Sequence, residues 1–486
     1  MGLRQGVSRR SLLLAAGSLV LARKLAAVAI AAPSAFLEQR LVARPAHAAL
    51  RGNALSQVWA YNDQIPGPTL RIRQGEAVRI VVENQLEQDT TVHWHGIRLP
   101  NAMDGVPGLT QPPIAPGESF VYEFAPPDAG TFWYHPHANS LEQLGRGLAG
   151  ALIVEEPAPP PVDRDLVWLL ADWRLDADGR IVDDFGNAME AAMAGRIGNV
   201  VTINGVVTDT QPVRAGERVR LRLINTALAR IMRLRFAGHR PVVVAVDGQP
   251  CEAHEPPDGA VLLGPAMRVD LLIEMLGAPG ERHDVTDDFY DGLAYRLTTL
   301  AYEPTPLDAA DPIAGPFVLP GNPLPNPDLA SAERHLLLLQ GGMMSGGGMM
   351  GGGGMMGGGM MGGGMMSSMM GMDHGAAWAI NGTAMTGDGH ADMPPLLTLT
   401  RGRSYVLTLH NGTAWWHPMH LHGFSFRVLD RNGAPIPHAQ WADTVMLPPH
   451  DSVDIAFVAD NPGDWMLHCH VTDHMTTGLM SVLRVV

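Results

Sequence analysis

Three segments of this chain align on a closing asparagine: LRIRQGEAVRIVVEN ends at Asn84, QPVRAGERVRLRLIN at Asn225 and LTLTRGRSYVLTLHN at Asn411. Each has a glycine nine residues earlier (Gly75, Gly216, Gly402), with apolar residues alternating on either side. Alternation of period two is the signature of a half-buried strand, so each segment reads as strand, turn and strand. Three copies with one offset predict a triplicated β-sandwich. The 486 residues leave room for two to four domains, and low aromatic content (6%) with 55 Gly and 39 Pro favours an all-β, turn-rich chain over helical bundles.

The repeat also marks where chemistry is kept. Nine and eleven residues after the asparagine, the first copy has His93 and His95 and the third has His420 and His422, whereas the second has Leu234 and Phe236. Five and seven residues after Gly130 stand His135 and His137, and His468 and His470 follow Gly463 at the same distances. The middle copy shows no such pair, so the outer copies are expected to hold a site between them while the middle one spaces them. Residues i and i+2 of a strand share a face, so each His-x-His offers two imidazoles side by side. Eight convergent imidazoles suit copper, which nitrogen donors bind most tightly among divalent first-row metals; zinc needs only three or four.

Cys469 lies between His468 and His470, so its thiolate points away from the face those histidines share. His474 follows five residues later and His417 opens HPMHLHG. Two His and one Cys are the ligands of a blue-copper electron-transfer site. HWHG, HPH, HPMHLHG and HCHVTDHMTTGLM resemble the four signature motifs of three-domain multicopper oxidases, and the resemblance runs from about residue 50 to the C-terminus. It implies three tandem cupredoxin-like Greek-key β-sandwiches, four copper ions, and one-electron oxidations coupled to reduction of dioxygen to water. By position, the resemblance assigns His417, Cys469 and His474 to a type 1 copper and His93 and His420 to a type 2 copper. It assigns His95, His135 and His470 to one type 3 copper, and His137, His422 and His468 to the other. The expected domains are 49–156, 157–328 and 329–486, after an export signal at 1–48.

The chain departs from the family in places. Leu479, ten residues after the cysteine, stands where many members place an axial Met, with Met480 next to it as the alternative. A leucine there would raise the potential. Asp104 resembles the family acid that relays protons near the type 2 copper; the alternative is a turn residue before Gly105. Where some members have an acid after the second type 1 His, this chain has Met475, and Asp473 is the substitute. Asp443 is expected to orient a ligand ring. His239, His254, His335 and His450 lack paired spacing and carry no expected site role.

The N-terminus, SRRSLLL followed by a short apolar run, resembles a twin-arginine export signal, with an A-x-A cleavage site at Ala46-His47-Ala48. Residues 1–48 carry seven basic residues and one acidic one, so cleavage there would take the formal charge from −15 to −21. Such a balance disfavours nucleic acid and anionic lipid and concentrates cations. The expected protein is a periplasmic or extracellular monomer without a stable membrane segment. Of its two cysteines, Cys251 is expected to be a small buried apolar residue.

A run of paired methionines and glycines occupies 341–372, with Asp373 and His374 after it. Thioethers select Cu(I) over hard cations, and glycine spacers let them wrap an ion; the alternative is a neutral low-complexity insertion. The expected activity is cuprous oxidation in copper tolerance, with a laccase-like oxidase of phenols as the alternative. The stretch before His417 is TAWW (Thr413–Trp416) and lacks the acid and Met that cuprous oxidases can set there. A copper store on the same scaffold is disfavoured by the intact ligand set, and a two-domain nitrite reductase by HCH.

Overall fold

The alternating segments form strands, and each module packs two sheets face to face. In this computed structural model the described residues are 2, 36–307, 317–343, 376–387, 390, 393–438 and 440–486. The twin-arginine stretch and the methionine run from residue 344 to Asp373 and His374 lie outside them.

In all three modules the strand closed by the repeated asparagine pairs in parallel with the module's opening strand: Val78–Asn84 with Leu37–Arg51, Arg218–Asn225 with Arg164–Trp173, and Ser404–Asn411 with Glu333–Gly341. The asparagines meet Ala43, Leu170 and Leu339 in register. A second sheet completes each sandwich. It contains Gly130–His135 and His93–His95 in the first module, Arg282–Asp287 and Met232–Phe236 in the middle one, and Gly463–Cys469 and His417–Leu421 in the third.

The asparagine recurs because it closes the same turn each time. Its Oδ1 accepts the backbone N–H two residues on, from Leu86, Ala227 and Thr413 at 2.9, 3.0 and 3.0 Å. Its Nδ2 donates to a carbonyl across the sandwich, on Ile114, Leu263 and Leu447 at 2.8, 2.9 and 3.2 Å. All three side chains are fully buried, where an unpaired amide costs about 1–3 kcal/mol. The preceding glycines sit at φ +77, +88 and +81, a conformation that disfavours other residues.

The first module begins earlier than the boundary expected at residue 49. Its opening strand runs Leu37–Arg51, and Leu41, Ala43 and Leu50 are fully buried in it. Cleavage after Ala48 would remove the parallel partner of Val78–Asn84. The small residues that read as a processing site are strand residues, Ala46, His47 and Ala48, paired with Val58, Gln57 and Ser56.

The first module has its own apolar core, whereas the core of the middle module runs on into that of the third. Apolar packing of Trp133 and Leu141 against Ile224 and Leu228 joins the first module to the middle one.

Candidate metal centres

Strand pairing brings the histidines together. His93 lies opposite His135 in the first module, and His420 opposite His468 in the third. The two modules then face each other: His93 stacks on His422 with ring centroids 4.0 Å apart, and His95 on His420 at 3.7 Å. Three compact sets of ring nitrogens result, namely His93, His420 and His422, then His93, His95 and His135, and finally His137, His422 and His468. His470 stands a little apart from these sets, its ring 5.1 Å from that of His95 and 5.2 Å from that of His135. All eight are buried.

Two aspartates hold this cluster in a pseudo-symmetric way. His93 Nδ1 donates to the Asp104 carbonyl (2.7 Å), and Asp104 Oδ2 accepts from His422 Nδ1 (2.9 Å). In the sister arrangement His420 Nδ1 donates to the Asp443 carbonyl (2.9 Å), and Asp443 Oδ1 accepts from His95 Nε2 (3.2 Å). His135 and His468 donate from Nδ1 to the carbonyls of Pro136 and Cys469, at 3.0 and 2.9 Å. Each of these six rings thus gives up its proton-bearing nitrogen to an oxygen and turns the other inward. Glycine is needed beside both acids. A Cβ at Gly105 would overlap the Val92 carbonyl, and one at Gly96 would overlap Arg268 and Asp443.

The inward nitrogens test what the site holds. His93 Nε2, His95 Nδ1, His135 Nε2, His420 Nε2 and both nitrogens of His137 and His470 are buried without a hydrogen-bond partner. His422 Nε2 and His468 Nε2 face each other at 3.0 Å, although each ring's proton is committed elsewhere. Burial, and then the neighbouring imidazoles, push His95, His135, His137, His422, His468 and His470 well below the ordinary histidine value. Neutral rings with buried lone pairs converging on one space fit metal ions better than protons. The trio His95, His420 and Asp443 also lies within ligand distance, but Arg268 already occupies that carboxylate and repels a cation there.

The second centre is a triangle of two Nδ1 atoms and a sulfur. Cys469 Sγ lies 3.5 Å from His417 Nδ1 and 3.6 Å from His474 Nδ1, and the two nitrogens are 3.1 Å apart. His417 Nε2 donates to Thr413 Oγ1 (2.9 Å), whose own proton goes to the repeated Asn411 (2.8 Å). His474 Nε2 donates to the Met193 carbonyl of the middle module (2.8 Å). Burial raises the Cys469 thiol and lowers His474 to about 3, so a thiolate here needs a cation beside it. Leu479 packs in the apolar cluster that contains Cys469, whereas Met480 turns into a separate cluster with Met385, Met466 and Met475.

The remaining expectations divide. Asp473 is buried; its Oδ2 accepts the Arg196 backbone N–H of the middle module (2.8 Å), while its Oδ1 has no hydrogen-bond partner. Met475 lines a small cavity beside His135, His137 and His470. Cys251 is half-buried, its thiol pushed up to about 12 by burial. His239 bonds Tyr302, His335 lies beside Glu333, and His254 stacks on His438. Spacing alone missed Thr413, Arg268 and His390. Arg268 had one signal, a charge inside the apolar strand of GPAMRVDLL. His390 is buried with neither ring nitrogen partnered, 6.0 Å from His137 between ring centroids.

Family models described as multicopper oxidase match residues 43–159, 164–281 and 366–486. The chain is 28% identical to Laccase-2 of Botryotinia fuckeliana, over 86% of this chain and 77% of that one. It is 26% identical to copper resistance protein A of Escherichia coli, over 88% of this chain and 89% of that one. A crystal structure of a multi-copper oxidase from Pseudomonas thermotolerans superposes with a TM-score of 0.79 at 34% identity, covering 93% of this chain and all of that one. With its three-module cupredoxin-like fold and its buried imidazole and thiol sets, the chain belongs to the multicopper oxidases, copper-binding oxidoreductases.

Proposed function

We propose that the chain binds four copper ions and works as a cuprous oxidase in copper tolerance, outside the cytoplasm and as a monomer. One ion belongs to His417, Cys469 and His474, and one to His93 and His420. The remaining pair belongs to His95, His135 and His470 and to His137, His422 and His468. When bound, the ions supply one-electron transfer at the first centre and reduction of dioxygen to water at the others. The chain supplies the frame. His468-Cys469-His470 joins the two centres through consecutive peptide bonds, the N–H donors described above fix every ring but those of His137 and His470, and the apolar surroundings exclude water. Asp104, against His93 and His422, carries protons at Oδ1 and Oδ2.

The observation that carries the Cu(I) reading is where the methionine run attaches. Met343, the first methionine of the run, donates its N–H to the Ala192 carbonyl (2.7 Å), and its carbonyl accepts from Trp415 Nε1 (2.9 Å). On the far side Ala377 pairs with Gly342 and leads into Trp378, whose ring lies 4.3 Å from that of His474 and 5.0 Å from that of His417. Met343 and the Ala377-Trp378 segment, the described residues on either side of the run, therefore lie at the cover of the two-histidine, one-cysteine centre. The twin-arginine motif supports export, with processing upstream of Leu37.

Oxygen uptake with Cu(I) as sole donor, and separately with a phenol, tests the reading in wild type and in a chain lacking 344–372. Cu(I) turnover is expected to fall in the deletion while phenol turnover holds. Equal Cu(I) rates in the two chains would turn the reading toward a laccase-like oxidase of phenols.

A further inference from the structure

The middle module gives no histidine to the shared cluster, yet it reaches that cluster through a buried ion pair. Arg268 is fully buried on the strand Arg268–Glu274, and it donates from Nη1 and Nη2 to Asp443 Oδ1 and Oδ2, at 2.8 and 2.5 Å. Its Nε donates to the carbonyl of Thr131 (3.2 Å), on the strand that ends at His135. Asp247, also of the middle module, braces both partners. Its Oδ1 accepts the Arg268 backbone N–H (2.9 Å), and its Oδ2 accepts those of Thr444 (3.0 Å) and Asp443 (3.3 Å).

A bidentate guanidinium fixes the plane of a carboxylate as a single hydrogen bond cannot. Held this way, Asp443 Oδ1 lies 3.2 Å from His95 Nε2 and 3.3 Å from His420 Nδ1, one ring from each outer module. The sister acid Asp104 touches His93 and His422, and among the described residues no Arg or Lys pairs with it. Gly96 belongs to the same device, because any side chain there would displace the guanidinium and the carboxylate.

We infer that Arg268 and Asp247 are positioning residues for the shared histidine cluster: they fix the Asp443 carboxylate, and through it the His95 and His420 rings. Copper retention between the outer modules then depends on the module without ligands. The inference rests on the copper assignment proposed above.

The test compares full-length, copper-loaded wild type with Arg268→Lys, Asp247→Asn and Arg222→Lys. Arg222 is a buried control that bonds Asp165, Asp270 and Thr131 rather than Asp443. Three readouts are taken: copper per chain after dialysis against a chelator, the EPR spectrum of the copper outside the blue centre, and the visible band of the Cys469 centre. Arg268→Lys and Asp247→Asn are expected to weaken retention by about 10- to 100-fold and to change the EPR spectrum while the visible band stays. Arg222→Lys should do neither. Wild-type retention and spectra in both variants overturn the inference, as does an equal loss in Arg222→Lys or a visible band that falls in step with the copper. Wild type that takes copper only at the Cys469 centre overturns the assignment beneath it instead.

Discussion

The middle module and the outer two share a strand plan and a turn asparagine, and they differ where the outer pair carries its histidines. In place of His93 and His95, or His420 and His422, the middle module has buried Leu234 and Phe236. Opposite Leu234 in register stands Asp287, where His93 faces His135 and His420 faces His468. Two residues on, Phe289 takes the place of His137 and His470. These replacements mostly extend an apolar core, so one scaffold either converges imidazoles or packs a sandwich, and the choice lies in a few side chains. The middle module still takes part in both centres: Arg268 and Asp247 hold Asp443, and the Met193 carbonyl holds His474.

The most severe break comes at the thiol. Cys469→Ser should abolish the visible band and oxygen uptake with either donor while copper remains at the histidine cluster, because only the sulfur completes the triangle with the two ring nitrogens. Visible absorption, oxygen consumption and copper per chain check this. Moving the histidine pattern inward is the next test. Leu234→His with Phe236→His should add no copper, because no second pair faces it, and each buried imidazole left unpaired should destabilise by about 1–3 kcal/mol. A rise in copper per chain would mean that ligand identity alone makes a site on this fold.

The asparagines give a smaller and finer comparison. Asn84→Ala, Asn225→Ala and Asn411→Ala should each cost about 1–3 kcal/mol in denaturant unfolding, since each strands buried backbone groups. Only Asn411→Ala should also shift the visible band, because Thr413 relays that side chain to His417. A spectral change with Asn225→Ala would show that the modules are coupled beyond the contacts described. The least change is expected of Cys251→Ala, within about 1 kcal/mol and without spectral effect.

Much of this was legible in the sequence because strands have a fixed period. Once the asparagine offset revealed three copies, His93, His95, His420 and His422 had to share faces of equivalent strands, and Cys469 had to turn away from its neighbours. Three features were not legible, each for its own reason. Asp287 and Phe289 escaped notice because the middle copy has Arg282 where Gly130 and Gly463 mark the outer ones, so no landmark preceded them. Ala46 and Ala48 satisfy the small-residue rule for processing, yet small residues also suit a strand edge packed under another module. Arg268 could be seen as a charge in an apolar strand, but its partner lies 175 residues away in another module. Pairing of that kind is set by how modules dock, which local pattern does not encode.

The backbone on either side of the methionine run is closed by the Gly342 N–H and the Ala377 carbonyl at 2.9 Å. Lengthening a loop whose ends already touch costs little, about 0.6 kcal/mol for each doubling. Repeats of Met-Met-Gly-Gly-Gly can therefore be gained or lost by replication slippage without retuning the sandwich beneath them. The number of thioethers can therefore change without altering the sandwich that carries them.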